Sequence, residues 1–233
     1  MIIIFDLFET ILDNVTIDFN AGLLPIWEKY YRDKCTFDEI KAYGEELFEY
    51  MMELHGMGRE FPFVKDELPL YAKKFGGDVV KMDAIEEADF LMRCNSVKVP
   101  EGLSEMLDCF RDKNIPMYVL SNSGFTAEAL ARMLDDNGIG SYFEKIWSSA
   151  DFGRLKPDKG FFEMAVNEAL REHPGNTIAD IMFVGDTYRT DICGAYQAGL
   201  KAVWINRKNE TDLNGFAAYQ ICDITELAEL INV

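Results

Sequence analysis

Asp6 ends the apolar run Ile2-Ile-Ile-Phe5, Ser121 ends Pro116-Met-Tyr-Val-Leu120, and Asp186 follows Asp180-Ile-Met-Phe-Val184 with only Gly185 between. An aspartate presented in this way can attack phosphorus or an activated carbon and form a covalent intermediate that water later releases. Asp186 and Asp191, five positions apart, offer anionic oxygen, the hard donor that suits Mg²⁺ and lets it bridge carboxylates to a phosphate. A cation is needed for phosphate chemistry here, because like charges at about 4 Å repel by several kcal/mol at intermediate dielectric. Taken singly, each residue has a plainer reading. Asp or Ser at a strand end commonly caps the next turn or helix, and Lys156 reads as a solvated lysine at a helix start. His55 and His173 are the only histidines and sit in no acid–base or metal setting, so a histidine-centred mechanism is not expected.

The elements that must position these residues follow from apolar patterning. Residues 2–5, 116–120, 180–184 and 201–205 are short runs rich in Val and Ile, separated by helix-length segments, which indicates parallel strands buried on both faces. Segments 101–113, 126–136, 158–172 and 188–198 carry apolar residues near helical spacing, with Pro157 expected in the first turn of the third and a closing helix over 224–231. Residues 14–97 lack a convincing buried strand and place Phe37, Ile40, Tyr43, Leu47 and Met51 at helical spacing. That block reads as a helical insertion after the first strand. Its Trp27, Tyr30, Tyr31 and Arg32 lie on one helix that could face a cleft. The class is α/β: a doubly wound parallel sheet, whose ligands sit beyond the carboxyl ends of the strands near the switch point.

Composition narrows the partners. A net charge of −18 opposes binding to a nucleic-acid backbone, which needs a basic footprint. Hydrophobic residues at 48% and charged residues at 27% describe an ordinary globular chain. No apolar stretch approaches the ~20 residues of a membrane span, and Met1 to Asp6 reads as a strand rather than a signal peptide. The five cysteines are scattered without metal-ligand spacing, as expected of reduced thiols in the cytoplasm.

Four stretches, in order, closely resemble the haloacid dehalogenase superfamily in its branch with a helical cap after the first strand. They are Phe5-Asp6-Leu7-Phe8-Glu9-Thr10, Leu120-Ser121-Asn122, Arg154-Leu155-Lys156-Pro157-Asp158, and Val184-Gly185-Asp186-Thr187-Tyr188-Arg189-Thr190-Asp191. Any one is weak evidence; all four across the chain are strong. The resemblance implies a Rossmann-like core of residues 1–13 and 98–233 with a cap over 14–97. It also implies Asp6 as nucleophile, and Mg²⁺ held by Asp6, the main-chain carbonyl of Phe8 and Asp186, with Asp191 in the outer shell. Lys156 would steady the nucleophile and the transferring group, and Ser121 with the Asn122 N–H would bind phosphate oxygens. The implied substrate is a small phosphorylated molecule.

The chain departs from the phosphatase pattern at Phe8, where that pattern places an aspartate acting as acid and base. General acid–base help is typically worth ~10²–10⁴-fold. Slow turnover of alkyl phosphates, better turnover of aryl or acyl phosphates, and an accumulating aspartyl-phosphate are therefore expected. An aromatic at this place resembles the 2-haloacid dehalogenases of the superfamily, whose halide leaves without a proton, so dehalogenation is the leading alternative. Asp186 argues against it, since a carboxylate there would repel a haloacetate. A phosphate-binding regulatory protein without efficient chemistry is the third reading. Glu9 could replace the missing acid, although its side chain should point away if the segment remains extended.

Overall fold

The computed structural model describes residues 1–231, so residues 232–233, the end of the expected core segment, lie outside the described residues. The chain opens with β1 (Ile2–Phe5) and then β2 (Asp13–Ile17). Four helices follow: α1 (Phe19–Ile26), α2 (Phe37–Gly56), α3 (Leu68–Phe75) and α4 (Ala84–Cys94). After β3 (Asn95–Lys98) come α5 (Leu103–Asp112), β4 (Met117–Ser121), α6 (Ala127–Asp136), β5 (Lys145–Ser148) and the short α7 (Ser149–Phe152). The remainder is α8 (Lys159–Glu172), β6 (Ile181–Gly185), α9 (Cys193–Gln197), β7 (Lys201–Ile205), β8 (Tyr219–Ile221) and α10 (Glu226–Leu230).

Six strands form one parallel sheet in the order β5-β4-β1-β6-β7-β8. Successive side chains on a strand point to opposite faces, and here both faces are covered. Ile3 and Phe5 of β1 join Leu107 and Phe110 of α5 and Leu130 and Met133 of α6 in one core. Ile2 and Ile4 join Phe161, Phe162 and Ala165 of α8 in the other. Continuous apolar strands are thus a consequence of two-sided burial. This is the expected α/β, doubly wound sheet with an inserted helical cap.

Between β2 and β3 the helices build a third core. On α2, Ile40, Leu47 and Leu54 recur every two turns and form a narrow buried stripe. Phe61, Phe63, Leu68 and Tyr71 complete that core with Phe90 of α4. The expected Phe37, Tyr43 and Met51 pack against it.

Two expectations need correction. The insertion is not purely helical, because β2 and β3 pair antiparallel at its two ends; being exposed, they lack a buried-strand pattern. Pro157 does not lie in the first turn of α8. Asp158 caps that helix by accepting from the N–H groups of Gly160 (2.9 Å) and Phe161 (3.3 Å), which leaves Pro157 in the preceding loop. Of the quartet that could face a cleft or pack, Tyr31 is buried, Trp27 and Tyr30 pack on the helical core, and Arg32 is exposed.

Candidate active site

The central strands β4, β1 and β6 deliver their carboxyl ends side by side. Asp6 extends β1, its N–H donating to Val184 O at 2.8 Å, so the residue after the strand remains in register with β6. Ser121 is the last residue of β4. Asp186 follows Gly185 at the end of β6, and the chain then turns so that Asp191 comes back under the same strand end. Gly185 is required by that return: a Cβ there would lie 2.6 Å from Asp191 Oδ2.

Lys156 reaches the cluster from the loop before α8. Its Nζ donates to Asp6 Oδ1 at 2.5 Å and lies 2.8 Å from Asp191 Oδ1. All three side chains are almost fully removed from water. Oxygens of Asp6, Asp186 and Asp191 lie within 4.8 Å of one another. Burial pushes the Asp6 carboxyl up to about 7, with Lys156 opposing and the Asp191 charge adding to the rise. Asp186 is pushed up to about 6, by burial first and then by Asp191. Burial works against the Lys156 charge, yet Asp191 and Asp6 together hold its pKa above the ordinary lysine value. Three carboxylates thus face one ammonium. The all-oxygen, under-neutralised donor set fits a hard divalent cation.

The structure brings together Asp6, Lys156, Asp186 and Asp191, with Phe8 and Asn122, around a cavity of about 320 Å³. The Ser121 hydroxyl, also expected here, is buried at the adjacent strand end without a hydrogen-bond partner. A buried orphan hydroxyl is costly unless something outside the chain satisfies it. The Asn122 side chain makes a separate contact of its own. Its Oδ1 accepts from the Lys156 N–H at 2.7 Å and its Nδ2 donates to Lys156 O at 3.1 Å, so it brackets the lysine's main chain.

Phe8 is half-buried against the core and carries no proton to give. Glu9, which could replace the missing acid, also lines the cavity. Its backbone is left-handed (φ 57°) rather than extended, and its Oε1 accepts from the Asn14 N–H at 3.0 Å and from Asn14 Nδ2 at 2.8 Å. One oxygen of the carboxylate is therefore tied to the base of β2.

Some contributors escaped the sequence. Arg207 donates to Glu9 O at 2.6 Å and steadies the loop after Asp6 from 198 positions away. Glu60, in the strap between α2 and α3, accepts from the Phe61 N–H at 2.9 Å, from His55 Nε2 at 2.8 Å and from the Ser149 hydroxyl. Ser149 in turn accepts from the Ser123 N–H at 2.8 Å, two residues past Ser121. No spacing signal announces a contact across 89 positions. His55 is thereby a structural partner of Glu60, and His173 bonds Glu144 at 2.7 Å. Among the described residues, no helix is long and apolar enough to cross a membrane.

Comparison with known proteins agrees with this geometry. The chain is similar to the pyrimidine 5'-nucleotidase YjjG of Escherichia coli K12, 30% identical over 132 residues, which cover 56% of this chain and 55% of that one. It spans about half the length of the first curated relatives it matches. The hydrolase YfnB of Bacillus subtilis, solved bound to magnesium, superposes with a TM-score of 0.61 at 21% identity, covering 99% of this chain and 98% of that one. A 2-haloacid dehalogenase of Pseudomonas syringae pv. tomato superposes with a TM-score of 0.68 at 21% identity, covering 100% and 99%, so shared fold does not separate the two chemistries. Residues 3–205 match the haloacid dehalogenase-like hydrolase family, and the chain belongs to it.

Proposed function

We propose that the protein is a Mg²⁺-dependent phosphomonoester hydrolase acting through an aspartyl-phosphate on Asp6. The observation that carries this reading is the cluster of Asp6, Asp186 and Asp191 around the single Lys156. A phosphate dianion could not approach three carboxylates and one ammonium without further positive charge. Asp6, Asp186 and the Phe8 carbonyl would hold the Mg²⁺, with Asp191 behind them; bound there, the ion neutralises the phosphoryl oxygens.

The chain's own groups supply the rest. Lys156 holds Asp6 Oδ1, leaving the other carboxylate oxygen to attack phosphorus in line with the leaving group. The orphan Ser121 hydroxyl and the Asn122 N–H donate to phosphoryl oxygens, and the Asn122 side chain keeps Lys156 in place. Such fixed donors carry much of phosphoryl transfer. Residues 14–97 act as the cap that admits one small phosphorylated substrate. With Phe8 in place of an acid, alkyl phosphates turn over slowly and the aspartyl-phosphate accumulates. The scattered, unpaired cysteines support a cytoplasmic setting.

Dehalogenation is favoured by Phe8 alone, and Asp186 beside the nucleophile opposes it, because an anionic haloacid would meet an unneutralised carboxylate. The two readings separate in one assay. p-Nitrophenyl phosphate with Mg²⁺ should give a burst of p-nitrophenol equal to the enzyme concentration, lost in chelator, with no chloride from 2-chloropropionate. Metal-independent chloride release without a phosphate burst would overturn the phosphatase reading. Metal-dependent phosphate binding with no turnover would select the regulatory one.

A further inference from the structure

Beside the catalytic cavity, and sharing Phe8, Asn122 and Lys156 with it, lies a second cavity of about 1150 Å³ between the helical segment and the strand ends. Its size is that of a pocket for a whole organic ligand, and its walls are aromatic. Phe63 of the strap stacks on Phe90 of α4 at 4.0 Å between ring centres, and Phe125, three residues after Asn122, lies 5.5 Å from Phe63. Phe19, Phe48 and Met52 line the same cavity and remain 47%, 45% and 53% exposed. Large apolar side chains left open around a cavity mark a ligand surface. The charged side chains at its wall are Asp18, Glu45, Glu49 and Glu67 against Lys41, Arg189 and Lys156, the last already engaged by Asp6 and Asp191. A second anionic group on the ligand would be repelled there.

We propose that this cavity holds the leaving group of the substrate, and that the substrate is a phosphomonoester of an uncharged aromatic alcohol with more than one ring's worth of apolar surface. This deepens the phosphatase reading and rests on it. The two cavities adjoin at Phe8, Asn122, Lys156 and Thr190, so an ester whose phosphorus faces Asp6 would extend its alcohol past these residues toward the aromatic walls. The chemistry at Phe8 asks for the same class. A phenol ionises near ~10, far below the ~15.7 of a water-like hydroxyl, and so departs without a protein acid. An Asp6 oxygen bonds to phosphorus as the bond from phosphorus to the aryl oxygen breaks. The electron pair leaves on the phenolate, which takes a proton from water. A second water then adds to the phosphorus, the bond to Asp6 breaks, and orthophosphate leaves as the water's proton passes to solvent.

The test compares kcat/KM with Mg²⁺ for 2-naphthyl phosphate, phenyl phosphate, p-carboxyphenyl phosphate and glycerol 3-phosphate. We expect 2-naphthyl phosphate to exceed phenyl phosphate by about tenfold or more, the range for added apolar contact in a pocket. The carboxylated ester should fall below phenyl phosphate and glycerol 3-phosphate should rank last. Phe48→Ser and Phe90→Ala should each shrink the naphthyl-to-phenyl ratio. Equal rates for the two aryl esters, a faster glycerol phosphate, or an unchanged ratio in both variants would overturn the proposal. If no ester turns over, the phosphatase reading fails, and calorimetric binding of 2-naphthyl and phenyl phosphate to Asp6→Asn decides the cavity separately. Tighter naphthyl binding supports its aromatic preference, and equal binding overturns it.

Discussion

The strand-end cluster and the strap of the helical segment both bury carboxylates, and they neutralise them in opposite ways. Glu60 is satisfied on both oxygens by His55, the Phe61 N–H and Ser149; burial opposes its charge, but these donors win and hold it below the ordinary glutamate value. Asp6, Asp186 and Asp191 share one lysine, and Asp6 and Asp186 are pushed up to about 7 and about 6. A buried carboxylate with its full set of donors is a structural tie. A buried set that lacks positive charge is under-neutralised, and the proposed phosphatase reading completes it with a cation and a substrate. Perturbed groups converging on a cavity make it a candidate functional site.

The contrast can be broken most severely at Asp6. Asp6→Asn removes the nucleophile and should lower phosphate release by about four orders of magnitude or more. The same change relieves crowding of buried charge, so the melting temperature should hold or rise, as is common when a strained active site is relaxed. A joint loss of activity and stability would make Asp6 a structural residue like Glu60. Lys156→Met should cost about 3–5 kcal/mol of stability in denaturant unfolding, because two buried carboxylates lose their only cation. Unchanged stability would mean the cluster is already protonated in the folded protein.

Glu60→Gln sharpens the other side. It keeps an acceptor but weakens charge-assisted bonds from His55 and Ser149, so a loss of about 1–3 kcal/mol is expected in thermal or denaturant unfolding. A pH-dependent contrast belongs to Glu67, whose carboxyl accepts from the Tyr71 hydroxyl at 3.2 Å. Burial pushes it up to about 7 from 4.5, and the Tyr71 bond only partly offsets this. Between those values the folded protein keeps a proton that the unfolded chain has released, so stability falls as pH rises through that window. Glu67→Gln should flatten that part of the stability–pH curve; an unchanged slope would show that this carboxyl is solvated.

The legible parts of the molecule are those where short-range pattern and chemistry coincide. Ile2–Phe5, Met117–Ser121 and Ile181–Gly185 are continuous apolar runs ending in the residues that meet at the site, so strands and chemistry were visible together. β8, with two of three residues exposed, and β5, with two partly exposed residues, lack such a run and were invisible. The stripe on α2 was legible as periodicity, but periodicity cannot say which aromatics pack inward and which face a cavity. Tyr31 went to the core, whereas Phe48 was left open. Contacts such as Arg207 to Glu9, or Glu60 to Ser149, depend on folding distant segments together and leave no local trace.

The central claim is that Asp6 becomes phosphorylated in a cluster completed by a divalent cation. Rapid acid quench of the protein mixed with p-nitrophenyl phosphate and Mg²⁺, followed by peptide mass spectrometry, tests it most directly. We predict one phosphoryl group on the peptide carrying Asp6, absent with chelator and absent in Asp6→Asn. Phosphate release that proceeds in chelator, or a label on any other residue, would contradict the account.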